Sequence, residues 1–210
     1  MIKLNLKILA FSSLLVTSLA YSQKTDQLQT KNNVSDNALL LKAKNDSVVA
    51  AKKKAAAAEI AKLPKPYNQK ENAQTKIAEL VKQAKKENKN VMIQAGGNWC
   101  IWCLRFDHYV QTTPELKELV DENFIYYHLN YSPENKNEKV FAKYGNPGEK
   151  FGYPVFIVLD QNGKQIHTQD SSVLEEGKGY SLEKTKTFFK EWSPKSLIKK
   201  SRHSFDEIFF

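Results

Sequence analysis

Two residues in this chain of 210 stand out for their chemistry: Cys100 and Cys103, the only cysteines present, three positions apart. A Cys-x-x-Cys pair can close a disulfide, exchange disulfides with other thiols, supply half of a zinc site, or anchor a haem. Haem attachment needs a histidine directly after the second cysteine, and Leu104 stands there. Zinc needs two further ligands, and His108, His128, His167 and His203 show no ligand-like pairing. A purely structural bridge is a weak reading, because stabilisation by a disulfide grows with the loop it closes and this loop is minimal. Exchange chemistry fits the spacing best.

The neighbouring residues give that chemistry a place. Val91-Met92-Ile93-Gln94-Ala95 is a short apolar run that predicts a buried strand, Gly96-Gly97-Asn98 predict a turn, and a helix opens at Cys100 and runs to about Val110. Free backbone N–H groups and the dipole at a helix N-terminus stabilise a thiolate there and lower its pKa. The thiolate is the species that attacks a disulfide sulfur. Cys100 is therefore the candidate nucleophile. Cys103, one turn further in, is the thiol that would resolve the mixed disulfide.

The remaining elements follow from periodicity. Lys70 to Lys89 carries Ile77, Leu80, Val81 and Ala84 at helical spacing, and Pro114 opens a further helical stretch through Val120. Phe124 to Asn130 is β-rich, a short helix is expected near Glu138 to Tyr144, and Pro154 to Leu159 reads as a strand. The Asn162-Gly163 pair predicts a hairpin returning over Lys164 to Thr168. A final helix spans Leu182 to Trp192, anchored by Phe188, Phe189 and Trp192. The expected class is α/β, a central mixed β-sheet flanked by helices.

Outside this region the chain is different in texture. Residues 1–22 read as a signal peptide: Lys3 and Lys7, a short apolar core from Ile8 to Ala20, then small residues Ala20 and Ser22 before the expected cut. The apolar stretch is short for a bilayer span, and no transmembrane span is expected in the mature chain. Residues 23–68 form a basic, Ala/Lys-rich linker, either disordered or, over Leu39 to Leu63, a single solvated helix ended by Pro64 and Pro66. Residues 69–193 are the folded domain and 194–210 a tail. Of the net charge of +9, residues 24–67 hold nine Lys against four acids, whereas residues 68–210 are near balance. Without interleaved aromatics this basic stretch does not read as a nucleic-acid surface. Arg105 and Asp107 read as residues of a solvated helix face or of a local ion pair worth little.

A strand, then Asn98-Trp99-Cys100-Ile101-Trp102-Cys103 opening a helix, then Gly152-Tyr153-Pro154-Val155 entering a strand and hairpin, resembles the thioredoxin superfamily. It is most similar to its exported thiol:disulfide interchange members, over roughly residues 70–192. The resemblance implies a thioredoxin-like fold and thiol–disulfide oxidoreductase activity, with Cys100 as nucleophile and Cys103 as its buried partner. It implies substrate contacts at Trp99, Trp102, Tyr153 and Pro154, the last in a cis peptide beside the disulfide. Tyr153 would pair its backbone with an extended client. No cofactor beyond the dithiol is implied, and no metal. Expected partners are thiols or disulfides of other exported proteins and a membrane-embedded electron donor, in a periplasmic or otherwise exported location. Two departures stand out. Gln94 occupies the place of a buried acid, and Ile101-Trp102 separates the cysteines, which leaves the direction of electron flow open, with reduction favoured. The rival reading is a thioredoxin-fold binding module whose cysteines do no chemistry.

Overall fold

Alternation along two strands decides the architecture. In β1 (Asn90–Gly96), Val91, Ile93 and Ala95 face one apolar cluster and Met92 faces another. In β3 (Val155–Leu159), Val155, Ile157 and Leu159 share the first cluster, while Phe156 and Val158 join the second. A strand apolar on both faces must be covered on both, so helices are required above and below.

The structure, a computed structural model, describes residues 39–198. The signal peptide, residues 23–38 of the linker and residues 199–210 of the tail lie outside the described residues. The contacts divide the chain at Ala55/Ala56. Residues 39–62 are helical (α1), one of the two forms that the alanine- and lysine-rich stretch leaves open. In the first unit Leu39, Leu40, Leu41, Val48 and Val49 are exposed. Among the described residues no helix is long and apolar enough to cross a membrane.

The second unit carries α2 (Ala73–Glu87), α3 (Ile101–Thr112), α4 (Pro114–Asn123), β2 (Phe124–Asn130), α5 (Glu138–Lys143) and α6 (Pro147–Phe151). After β3 come β4 (Gln165–Asp170), a 3₁₀ turn (Ser171–Leu174), the short pair β5 (Glu175–Glu176) and β6 (Gly179–Tyr180), and α7 (Leu182–Glu191). The main sheet has the order β2-β1-β3-β4, with β1 and β2 parallel and the other pairings antiparallel. The α/β class with a mixed central sheet flanked by helices is what the sequence predicts.

Each layer follows from local chemistry. Helix α2 begins at Asn72, whose side chain accepts from Thr75 N, and ends at Asn88 in the left-handed region. Its Ala73, Ile77, Leu80 and Ala84 pack on the first face of the sheet. On the other face α3, α4 and α7 place Phe106, Val110, Leu116, Val120, Phe188 and Phe189 against Met92, Phe156 and Val158. The β3–β4 turn is held by Asp160, whose carboxylate accepts from the backbone N–H groups of Asn162 and Lys164, with Gly163 at positive φ. Helix α6, the 3₁₀ turn and the β5–β6 pair are not expected from sequence. Each is five residues or fewer, too short to show a period.

Candidate active site

Helix α3 begins at the nucleophile itself. Cys100 is the residue that caps the helix, with extended backbone, and its Sγ accepts from Cys103 N at 3.2 Å. Cysteine here does what serine or aspartate does at other helix starts, and the same N–H group would stabilise a thiolate. The two sulfurs are joined in a disulfide. Cys103 is fully buried, and Cys100 is exposed over only 6% of its surface. Cys100 thus keeps a little exposed surface and Cys103 none.

The wall opposite Cys100 comes from the loop before β3. The Tyr153–Pro154 peptide is cis, Pro154 is buried, and the Tyr153 carbonyl oxygen lies 3.6 Å from Cys100 Sγ. A reduced Cys100 could donate to that carbonyl. The Tyr153 ring is stacked on Tyr131 at 5.3 Å and meets Trp99 edge-on at 5.7 Å. Burial pushes the Tyr153 hydroxyl up to about 12. Trp99 is half exposed and donates from Nε1 to the Tyr131 carbonyl at 2.7 Å. Gly97 is needed beneath it, since a Cβ there would collide with the indole. Trp99, Tyr153 and Pro154 therefore gather around Cys100. Trp102 packs against the same cluster as the two cysteines; it is half-buried, edge-on to Tyr180 at 5.7 Å, with the Arg105 guanidinium over its ring.

Behind Cys103 lies a polar network. Gln94 is fully buried. Its Nε2 donates to Cys103 O at 2.9 Å and to the Tyr67 hydroxyl at 2.7 Å, and its Oε1 accepts from the Tyr126 hydroxyl at 2.6 Å. All hydrogen-bonding capacity of that amide nitrogen is used, which is what makes its burial tolerable. Asp107 is buried too, contrary to the solvated face that its sequence suggests: α3 turns it inward, with Oδ1 3.0 Å from His128 Nε2. The contact is short but lacks hydrogen-bond alignment.

The segment before α2 completes the wall. Tyr67 is buried, and Ile60 and Leu63 pack against the cluster of Tyr67, Cys100, Cys103 and Leu104. Asn98, in the turn before the motif, clamps Tyr67 by accepting from its N–H at 3.2 Å and donating to its carbonyl at 2.9 Å. Arg105 grips Glu59 through Nε and Nη2 at 2.6 and 2.7 Å, and this pair holds the Glu59 carboxyl below its ordinary value of 4.5. A carboxylate held low contributes stability that is present above 4.5 and is lost as pH falls through the folded value. Glu59→Gln is expected to cost about 1 kcal/mol or less near neutral pH, because the pair is partly solvated. Denaturant titrations should show the two proteins converging in acid and at high salt.

The fold and this geometry agree with what the chain is similar to. Residues 72–161 match a family model described as thioredoxin-like. The second unit has a thioredoxin-like fold. Its fold is similar to that of a disulphide isomerase from Xylella fastidiosa Temecula1, with a TM-score of 0.54 at 22% identity, over 61% of this chain and 97% of that one. The C-terminal domain of DsbD from Neisseria meningitidis matches with a TM-score of 0.42 at 22% identity, over 58% of this chain and 96% of that one. No curated protein sequence matches the chain. A Cys-x-x-Cys disulfide that opens a helix in a thioredoxin-like domain marks a thiol–disulfide oxidoreductase. Among the described residues no group of three or more His, Cys, Asp and Glu could hold a metal ion.

Sequence reasoning finds the cysteines and Tyr153–Pro154, and it misses Tyr67, Asn98 and Asp107 as parts of this site. Asn98 sits in the motif but reads as a turn residue, and Tyr67 falls one residue before the expected end of the linker. The Pro64 and Pro66 that frame the segment are the one local hint that its backbone is fixed.

Proposed function

We propose that the protein is an exported thiol–disulfide oxidoreductase that reduces disulfides of other exported proteins. The observation that carries the reading is the asymmetry of the pair, with Cys100 at the rim and capping α3 while Cys103 is sealed below. Cys100 as thiolate attacks a client disulfide sulfur and displaces one client thiolate. The Cys103 thiolate then attacks Cys100 Sγ, releases the second client thiolate and closes the disulfide. The client thiolates take protons from water. A dithiol donor in the membrane returns the two electrons.

Client recognition falls to the rim. The Tyr153 backbone offers an edge to an extended segment, Pro154 packs beside the sulfurs and Trp99 flanks them, while Trp102 supports the rim from below. The reducing direction is supported by how little stabilises the Cys100 thiolate. The Cys103 N–H and the helix terminus serve it, Ile101-Trp102 adds no imidazole, and the Arg105 cation is taken by Glu59. A less stabilised reduced form is a stronger reductant.

The experiment is a redox equilibration against glutathione, paired with Cys103→Ser trapping. A potential at or below about −230 mV and a set of trapped client proteins are expected. A potential above roughly −150 mV would reverse the direction, and a pair that does not cycle would leave a binding module.

A further inference from the structure

Gly96 is the place where two side chains meet. A Cβ on that residue would stand 2.5 Å from Cys103 Sγ and 2.9 Å from the Tyr67 hydroxyl oxygen. Both atoms border the place that a side chain on Gly96 would take, so they lie nearer to each other than those two distances combined. The position of the hydroxyl is not accidental. Its backbone is clamped on both sides by Asn98, its oxygen accepts from Gln94, and its ring meets His128 edge-on at 5.1 Å. A hydroxyl that accepts from Gln94 still carries its own hydrogen, and it carries it beside a sulfur that must ionise while buried.

We infer that the Tyr67 hydroxyl is the hydrogen-bond donor that stabilises the Cys103 thiolate during the resolving step, held in place for that task by Gln94 and Asn98. The inference rests on the oxidoreductase reading. It supplies what that reading needs, since a thiolate without a donor is costly to bury and the buried acid that would assist Cys103 is replaced by an amide. Gln94 cannot itself serve the sulfur, because both hydrogens of its Nε2 are engaged by Tyr67 and by Cys103 O. Burial raises the Tyr67 hydroxyl well above its ordinary value of 10, so it keeps its hydrogen at neutral pH. No proton passes from Tyr67. Cys103 loses its proton to water, its sulfur forms the bond to Cys100 Sγ, and the departing client sulfur carries away the electron pair. Tyr67 is contributed by the stretch that precedes α2.

The test uses the reduced full-length protein and a small aromatic disulfide whose thiolate product is coloured. Attack by Cys100 releases one equivalent, and closure by Cys103 releases the second, so rapid mixing separates the two steps. Tyr67→Phe, which removes only the oxygen, should leave the first phase unchanged and slow the second about tenfold. It should also raise the pH of half-maximal rate by about one unit, because removing a donor disfavours the charged sulfur. Asp107 on α3, Tyr126 and His128 on β2 and Tyr180 on β6 also face this region and remain unaltered. Gln94→Leu keeps the oxygen of Tyr67 but loosens it, and a smaller slowing of the same phase is expected. Circular dichroism checks both folds. A second phase with wild-type rate and pH profile in Tyr67→Phe would overturn the inference alone. A wild-type protein with no second phase would overturn it together with the reading on which it rests.

Discussion

Cys100→Ser is expected to bring turnover of a disulfide substrate down to the uncatalysed rate. The serine hydroxyl does not ionise near neutral pH and forms no bond to a departing sulfur, so neither step of the exchange has a starting point. Cys103 cannot take over, because its sulfur is fully buried behind Tyr67, Gly96 and Leu104. The fold should survive, since a bridge over two intervening residues constrains little of the unfolded chain. The measurement is substrate reduction by a supplied dithiol, alongside a thermal melt. Retained turnover in a folded Cys100→Ser protein would defeat the oxidoreductase reading.

Phe106→Ala should be the most damaging single change to stability. Phe106 lies on α3 between the motif and the core, with no exposed surface. Its ring centroid is 4.5 Å from that of Phe156, 4.8 Å from Tyr180 and 6.3 Å from Phe189, so it joins β3, β6 and α7. Removing a buried ring leaves a cavity that the rigid sheet cannot close, at a cost of about 3–5 kcal/mol. For a domain of this size that lowers the melting temperature by about 10 °C. Aromatic contacts also seat α3, so activity is expected to fall at temperatures where the domain still melts cooperatively. A melt displaced by only a degree or two would show that the cluster repacks around the missing ring.

The path from sequence to site is uneven for reasons that particular residues make plain. Strand β2 is legible to the residue, because Phe124 to Asn130 is a dense run of β-formers between a helix end and a polar loop. Cys100, Cys103 and Tyr153–Pro154 are legible because their chemistry is local: spacing, a turn before, a strand after. Asp107 is not. An acid on an amphipathic helix reads as solvated, and only the packing of α3 shows that it faces His128 on β2. Gln94 is visible as a departure from an expected acid, yet its partners Tyr67 and Tyr126 lie 27 and 32 positions away. Polar contacts over such separations leave no period in the sequence. For the same reason the expected start of the domain at residue 69 falls just after Tyr67, which belongs to the core around the cysteines.

That last placement bears on how the domain can be borrowed. The stretch that matches the family model, residues 72–161, contains both cysteines and the cis proline. It stops short of β4 and α7, and it begins after Ile60, Leu63, Tyr67 and the Glu59 that Arg105 grips. A graft cut to those limits would transfer the motif without Ile60, Leu63 and Tyr67, which pack around the cysteines. A chimera or a minimal redox tag built from this chain should be drawn to begin before Glu59 and to run past α7.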